Sequence, residues 1–246
     1  MIYLELVPTS IPDLIDNCTW ATKHFSGISG INIPDILRVK NRSYDAVVDV
    51  SNLGIDAIPH IRACDFSKKE LLYLCVLLKS KGIKNILIIS GDPPPNLLQP
   101  VYKHDLIEIF NMLCSSVSDI NFYAGHDPYR QSLKDEYNYS KEKIKAGAKG
   151  LFTQPIFDLN LARLLLNLDL ECEWFIGISP VLTKTSYQYW TTRNNVVFNA
   201  DFNLTMDYNI NIGKKLINYC QEKNQHNYIM PIKTDIHSYL GRLINE

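Results

Sequence analysis

The fold class is decided by the stretch Ser67-Lys-Lys-Glu-Leu-Leu-Tyr-Leu-Cys-Val-Leu-Leu-Lys-Ser80-Lys-Gly-Ile-Lys-Asn-Ile-Leu-Ile-Ile89-Ser-Gly-Asp92. Ser67 and Glu70 have the spacing of a capping box, and leucines recur at helical intervals until Gly82 ends the helix. Residues 84–89 then predict a strand that is apolar on both faces, as in a parallel sheet covered by helices. The stretch therefore predicts one helix–strand unit of a β/α protein.

The same alternation extends outward in both directions along the chain. Apolar runs predict further strands at residues 2–7, 31–33, 55–60, 121–124, 150–154, 173–178 and 227–230. Helices are predicted from residue 12, at 43–53, 102–114, 133–146 and 160–168, from residue 183, and at 210–223 and 235–244. Eight strands alternating with helices indicate right-handed βαβ units and a parallel sheet.

The length favours closure of this sheet into a barrel. The chain has 246 residues, and no linker or change of composition divides it, so we expect one domain over residues 1–246. A (β/α)8 barrel usually takes about 250 residues. The alternative is an open doubly wound sheet, but the Gly-rich dinucleotide fingerprint that favours it follows none of the predicted strands.

Composition and charge exclude several classes of partner. The chain is 46% hydrophobic and 21% charged with a net charge of −1, so it has no basic excess to attract nucleic acid or an anionic membrane. No apolar segment approaches the roughly 18 residues that span a bilayer. The amino terminus predicts a strand rather than a secretory leader, and we expect a cytoplasmic protein.

The metal-binding residue types are scattered. Six cysteines occur singly without a C-x-x-C pair, which is typical of free thiols in a reducing compartment. The histidines also lack the spacing of metal ligands, and we expect no zinc site.

Four polar residues occur where predicted strands end: Glu5, His60, Asp92 and Gln154. In a β/α barrel the carboxyl ends of all strands open onto one face, which is where such barrels perform chemistry. Because the four residues follow four different strands, their side chains are expected to converge. The pattern predicts a binding or catalytic site at that face.

Each of these positions also has a structural interpretation. Glu5 in an apolar strand is either a general acid whose pKa is raised by burial, or a paired structural carboxylate. His60 either donates a hydrogen bond to a ligand or is a satisfied core histidine. Asp92, in Ser90-Gly-Asp-Pro-Pro-Pro95, either accepts hydrogen bonds from an N–H-rich heterocycle or ends a simple turn. Lys143 either reaches a phosphate or lies at a solvated helix end.

Taken together and in order, the motifs resemble the methylenetetrahydrofolate reductase family, and most of all its shorter bacterial branch. The main motifs are Glu5-Leu-Val-Pro8, Gly91-Asp-Pro-Pro94 and Thr153-Gln-Pro-Ile-Phe-Asp158. Supporting matches are Ile31-Asn-Ile-Pro34 with Arg38, Ile58-Pro-His60, Lys143-Ile-Lys-Ala-Gly-Ala148 and Gly177-Ile-Ser-Pro180.

The resemblance implies a (β/α)8 barrel that reduces 5,10-methylenetetrahydrofolate to 5-methyltetrahydrofolate. FAD would carry hydride to the folate from NADH or NADPH. Glu5 would be the acid that assists ring opening, Asp92 would favour the cationic intermediate, and Gln154 would bind the pterin. The positions that the resemblance assigns to FAD are His60, Gly91, Tyr123, His126, Glu136 and Lys143.

Several departures from the family pattern fall in the flavin-contacting set. Ser90 stands where many members have Arg, and Thr234 occupies a position that is often Arg. Cys64-Asp65-Phe66 replaces an Arg-rich stretch, His126 lies in an altered loop, and Glu136 replaces Asp. These departures leave two alternatives open: a flavin-independent folate one-carbon enzyme, or a non-catalytic folate-binding subunit. A homo-oligomer or a partner subunit is compatible with either.

Overall fold

Eight parallel strands close into a barrel in the computed structural model, which describes residues 1–93 and 100–244. Each strand pairs with the next along the chain, and the last pairs with the first. The strands are β1 (Ile2–Glu5), β2 (Ile28–Ile33), β3 (Ala57–Arg62), β4 (Asn85–Ile89), β5 (Asn121–His126), β6 (Gly150–Pro155), β7 (Glu173–Ile178) and β8 (His226–Ile229). The predicted (β/α)8 barrel is confirmed.

Helices connect the strands and cover the outside of the barrel. They are α1 (Ile11–His24), α2 (Ser43–Ser51), α3 (Lys68–Ser80), α4 (Leu106–Ser116), α5 (Leu133–Lys145), α6 (Leu159–Leu166), α7 (Lys184–Arg193), α8 (Met206–Glu222) and α9 (Ile236–Leu243). The predicted capping box of α3 is present, because the Ser67 hydroxyl accepts from the Glu70 N–H and the Glu70 carboxylate accepts from the Ser67 N–H. None of the helices among the described residues is both long and apolar enough to cross a bilayer.

Two predicted helix starts are wrong by one turn. α4 begins at Leu106 rather than at residue 102, because the Asp105 carboxylate caps it by accepting from the Ile107 N–H at 2.9 Å. α8 begins at Met206 rather than at residue 210, after a cap by the Thr205 hydroxyl. In both cases a polar capping side chain fixed the boundary, which apolar periodicity alone could not show.

Aromatic side chains fill the inside of the barrel. The rings of Phe152 and Phe175 stack at 3.9 Å, and Tyr3 packs edge-on against Phe175 at 5.0 Å. The buried interior cluster consists of Tyr3, Ile58, Leu87, Tyr123, Phe152, Phe175, Tyr228 and Met230. The barrel is therefore a packed core, and its aromatic residues form the floor of the face where the strands end.

The segment from residue 194 to 205, between α7 and α8, is irregular but is anchored by apolar residues. Val196 is buried, and Phe198 lies 4.9 Å from the ring of Phe157. Phe202 lies 4.2 Å from Phe198 in the same cluster. The segment is thus held against the loops that follow β6 and β7.

Candidate functional site

Four polar side chains meet at the carboxyl end of the barrel, and we call them the mouth quartet: Glu5, Asn32, His60 and Tyr228. They come from β1, β2, β3 and β8, which are neighbours around the barrel. The Tyr228 hydroxyl donates to the Glu5 carboxylate, and the Asn32 amide donates to Nε2 of His60 at 3.1 Å. The rings of His60 and Tyr228 lie 6.2 Å apart. Of the four residues predicted to converge, Glu5 and His60 do so here.

Glu5 has the electrostatics of an acid that works near neutral pH. Burial above the aromatic floor raises the pKa of Glu5 to about 7, and the hydrogen bond from Tyr228 partly opposes that rise. A carboxyl group with this pKa is substantially protonated at neutral pH and can donate its proton.

His60 is a neutral hydrogen-bonding group rather than an acid. Burial lowers the pKa of His60 to about 3. The Asn32 side-chain amide lies 3.1 Å from Nε2 of His60, and this contact holds the orientation of the ring. The Asn32 side-chain oxygen is buried and has no hydrogen-bond partner among the residues the structure describes.

The Gly-Asp turn after β4 lies against the end of β3. Gly91 has a φ of +77°, and a Cβ at this position would lie 2.7 Å from Sγ of Cys64, so only glycine fits. Asp92 is exposed, and its backbone carbonyl accepts a hydrogen bond from the Arg62 guanidinium. Of the three prolines that follow Asp92, Pro94 and Pro95 lie outside the described residues.

An ion-pair network beside this turn was missed by sequence reasoning. Arg42 bridges Asp35 at 2.7 Å and Asp65 at 2.6 Å, and Asp65 also accepts from Arg62 at 3.1 Å. Burial opposes ionisation of Asp65, but hydrogen bonds from Arg62 and Arg42 outweigh it and lower its pKa. Both arginines are thereby engaged within the protein. Arg62 and Asp65 are three residues apart, but the link from Arg42 to Asp65 spans 23 residues and joins the two pairs only in the folded chain.

Gln154 stands near the end of β6, at a bulge where the pairing with β7 shifts register between Phe152 and Pro155. It is partly exposed. The role that the resemblance implies for Gln154, binding the pterin, stays a prediction.

Three residues predicted to contact a cofactor form a separate group between β5 and α5, which we call the β5 network: His126, Glu136 and Lys143, with Arg130 and Ser140. Glu136 is fully buried. Its Oε1 accepts from the Asp127 N–H at 3.1 Å, and its Oε2 accepts from Arg130 at 2.7 Å and from Gln131 at 2.7 Å.

Lys143 and one ring nitrogen of His126 also have partners within the protein, whereas Nε2 of His126 is buried and has no hydrogen-bond partner among the described residues. The Lys143 ammonium is 3.8 Å from Glu136 and donates to the Gly125 carbonyl at 2.5 Å. Nδ1 of His126 lies 2.8 Å from the Ser140 hydroxyl. Burial lowers the pKa of Lys143 to about 8 and that of His126 to about 4. With only 2% of Lys143 exposed, its interpretation as a solvated helix end is wrong.

Tyr123 points away from the mouth. Its hydroxyl donates to the Glu173 carboxylate at 3.1 Å, and Glu173 is the first residue of β7. Lys149 pairs with the same carboxylate at 3.2 Å. These contacts place the Tyr123 hydroxyl at the amino end of the barrel, opposite the mouth quartet.

The residues present do not fit FAD as the resemblance implies. Of the six positions assigned to it, His60 and Gly91 lie at the mouth. The three in the β5 network are buried, and Glu136 and Lys143 are fully engaged within the protein, although Nε2 of His126 has no partner among the described residues. The Tyr123 hydroxyl lies at the other end of the barrel. The structure thus brings together the predicted acid, the turn and the pterin position at one face, but not the cofactor set.

Comparison with known proteins identifies relatives of this chain. Residues 22–194 match the family described as methylenetetrahydrofolate reductase. The chain is 25% identical over 163 residues to the 5,10-methylenetetrahydrofolate reductase of Salmonella typhimurium, and this alignment covers 64% of this chain and 55% of that protein. It is 24% identical over 136 residues to a probable methylenetetrahydrofolate reductase (NADPH) of Caenorhabditis elegans, covering 52% and 20%. The chain thus spans about half the length of the bacterial relative.

Solved structures share the fold with little sequence identity. A 2,3-dimethylmalate lyase has a TM-score of 0.62 at 8% identity, with 95% of this chain and 75% of the other covered. The dihydropteroate synthase of Thermus thermophilus has a TM-score of 0.54 at 12% identity, covering 99% and 90%. At these identities the likeness supports the barrel alone.

Proposed function

This chain belongs to the methylenetetrahydrofolate reductase family, and on that premise we propose that it reduces 5,10-methylenetetrahydrofolate to 5-methyltetrahydrofolate. The observation that carries the proposal is Glu5, a carboxyl group at the barrel mouth whose pKa is raised to about 7 by burial. Ring opening of the substrate needs a proton donor near neutral pH. Glu5 supplies that group on the face where β/α barrels perform chemistry.

The proposed reaction proceeds in two steps. The bond between N10 and the methylene carbon breaks, its electron pair stays on N10, and N10 takes the proton of Glu5. The methylene carbon is then joined to N5 as an iminium cation. A hydride adds to that carbon, and the iminium electron pair returns to N5, which gives the 5-methyl product.

Asp92 and Gln154 have supporting roles in this proposal. The exposed Asp92 would lie beside the positive charge that develops on N5 and would lower the energy of the cation. Gln154 would bind the pterin through its amide. Asp92 is presented by a turn whose shape depends on Gly91, and Gln154 stands on a strand, so both have defined backbone positions.

The hydride donor in the proposal is NADH or NADPH. The resemblance implies that FAD carries the hydride between the nicotinamide and the folate. Burial of the β5 network and the position of Tyr123 favour a second candidate, a flavin-independent reduction in which the nicotinamide donates directly. We derive no step through FAD, because the residues expected to hold it are engaged elsewhere.

One assay tests the proposal and separates the candidates. The purified chain is freed of flavin by gel filtration, its visible spectrum is recorded, and it is mixed with methylenetetrahydrofolate and NADH or NADPH. Formation of 5-methyltetrahydrofolate, detected by mass spectrometry, is expected without added FAD. Turnover only after FAD is added would favour the flavin route. Binding of the folate without product under either condition would contradict the reductase and favour the folate-binding subunit.

A further inference from the structure

We propose that Tyr228 is the positioning residue for Glu5: its hydroxyl orients the carboxyl group at the barrel mouth for proton transfer. This inference rests on the proposed function for its catalytic meaning. The contact itself is a property of the folded chain and can be tested without a substrate.

The geometry fixes the Tyr228 hydroxyl at one place. Tyr228 is buried on β8, and its backbone pairs with that of Tyr3 on β1. Tyr3 comes two residues before Glu5, so Tyr228 lies one layer of side chains below Glu5 in the barrel. Its ring packs edge-on against Phe152 at 5.2 Å and lies 6.2 Å from the ring of His60. Neighbours on two sides thus hold the ring, and its hydroxyl reaches the Glu5 carboxylate from below.

Apart from Tyr228, the described groups around the mouth do little to oppose the rise in the pKa of Glu5 that burial causes. His60 is neutral and its Nε2 is taken by Asn32. The charged groups at the end of β3, Arg62 and Asp65, are paired with each other. Tyr3, the other titratable residue of β1, lies deeper in the barrel, where Asp56 and Glu173 influence it. Among the described residues, the stabilising contact to ionised Glu5 therefore comes from Tyr228.

Loss of this hydroxyl has a defined consequence. A phenolic O–H stabilises the carboxylate more than the neutral acid, so removing it raises the pKa of Glu5 further. The stronger hold on the proton makes Glu5 a weaker donor, and the carboxyl group loses its fixed orientation. In Tyr228→Phe we expect the Glu5 titration and the alkaline limb of the pH–rate profile to move up by about one pH unit, and kcat to fall roughly tenfold.

The test measures Glu5 directly in the full chain. The carboxyl carbons of glutamate are labelled with carbon-13, the spectrum is titrated from pH 4 to pH 9, and Glu5→Gln assigns the Glu5 signal. Tyr228→Phe is expected to titrate at higher pH than the unmodified chain. Placing 3,5-difluorotyrosine at position 228, which strengthens the donor, is expected to move Glu5 to lower pH.

Two matched controls remove other buried tyrosine hydroxyls. The Tyr123 hydroxyl lies in the same barrel but donates to Glu173, and the Tyr239 hydroxyl is buried without a partner among the described residues. Tyr123→Phe and Tyr239→Phe should leave the Glu5 titration unchanged. A Glu5 titration that is the same in Tyr228→Phe and the unmodified chain would overturn the proposal, even if Tyr228→Phe loses stability. Because this readout needs no turnover, it can fail or succeed independently of the reductase assay.

Discussion

Two glutamates in this molecule, Glu5 at the mouth and Glu136 in the β5 network, have pKa shifts of opposite sign. Burial raises the pKa of Glu5 to about 7, and the hydrogen bond from Tyr228 opposes this only in part. The same desolvation acts on Glu136, but Lys143, the Asp127 N–H, His126 and Arg130 outweigh it, and the pKa of Glu136 is lowered.

The difference lies in the number of donors aimed at each carboxylate. Glu136 accepts hydrogen bonds from a backbone N–H, from Arg130 and from Gln131, with Lys143 close by. Glu5 accepts from Tyr228. A carboxylate with many donors is a fixed structural anion, whereas one with a single neutral donor keeps its proton available near neutral pH. The resemblance assigns functional roles to both positions, but the contacts support chemistry at only the first.

The largest expected effect is a loss of turnover when the mouth glutamate, Glu5, is replaced. Glu5→Gln removes the proton donor, so we expect turnover to fall by about 10²–10⁴-fold while the fold is retained. Steady-state product formation measures this. Glu173→Gln is the matched control, since it changes a carboxylate at the opposite end of the same barrel and should leave the catalytic step intact. Full activity in Glu5→Gln would contradict its role as the acid.

The next effect concerns stability. Glu136→Gln leaves the Lys143 and Arg130 charges without their buried partner, so we expect the free energy of unfolding to fall by roughly 3–5 kcal/mol. Urea denaturation gives the value. Glu142→Gln on the same helix is the control, because Glu142 is exposed and pairs with Lys145 at the surface, where the loss should stay below about 1 kcal/mol. An equal loss of unfolding free energy in both variants would show that the β5 network does not stabilise the fold through the buried carboxylate of Glu136.

The pH dependence of stability should have opposite signs at the two sites. Because folding raises the pKa of Glu5, its stabilising contribution is complete below its unfolded pKa and is lost as the pH rises through about 7. Glu5→Gln should therefore gain roughly 3 kcal/mol of unfolding free energy relative to the unmodified chain between pH 4 and pH 8. The lowered pKa of Glu136 gives the reverse, with a contribution present above its unfolded pKa and lost in acid.

Urea denaturation of the unmodified chain, Glu5→Gln and Glu136→Gln at a series of pH values measures this contrast. A difference between Glu5→Gln and the unmodified chain that does not change with pH would be inconsistent with a raised pKa at Glu5.

The smallest expected effect is the loss of stability when Arg130, the most exposed member of the β5 network, is replaced. The Arg130 side chain is 45% exposed although its partner Glu136 is buried. Because solvent screens the guanidinium, Arg130→Met should cost only about 1 kcal/mol of unfolding free energy. Lys145→Met, which removes an exposed cation at the end of α5, is the control for loss of surface charge. A loss as large as that of Glu136→Gln would show that Arg130 is the main partner of this carboxylate.

Much of the fold and part of the site could be predicted from the sequence. The capping box at Ser67 and the apolar run of β4 predicted a helix–strand unit, and repetition of that unit predicted the barrel. Glu5, Asp92 and Gln154 were placed at the mouth because the carboxyl ends of parallel strands share one face. The boundaries of α4 and α8 were wrong because each depends on a capping side chain outside the apolar pattern.

The sequence by itself determined the alternation of strands and helices, because each pattern depends on residues close together in the chain. That alternation leaves few topologies that can bury the apolar faces. Only the tertiary structure decided which polar residues became partners. Tyr228 contacts Glu5 because barrel closure brings the last strand beside the first. Lys143 is buried because its ammonium lies 3.8 Å from the carboxylate of Glu136, which is buried two turns earlier on α5. Such pairings join positions far apart in sequence or hidden from solvent, and burial and hydrogen bonding there determine which carboxylate keeps its proton.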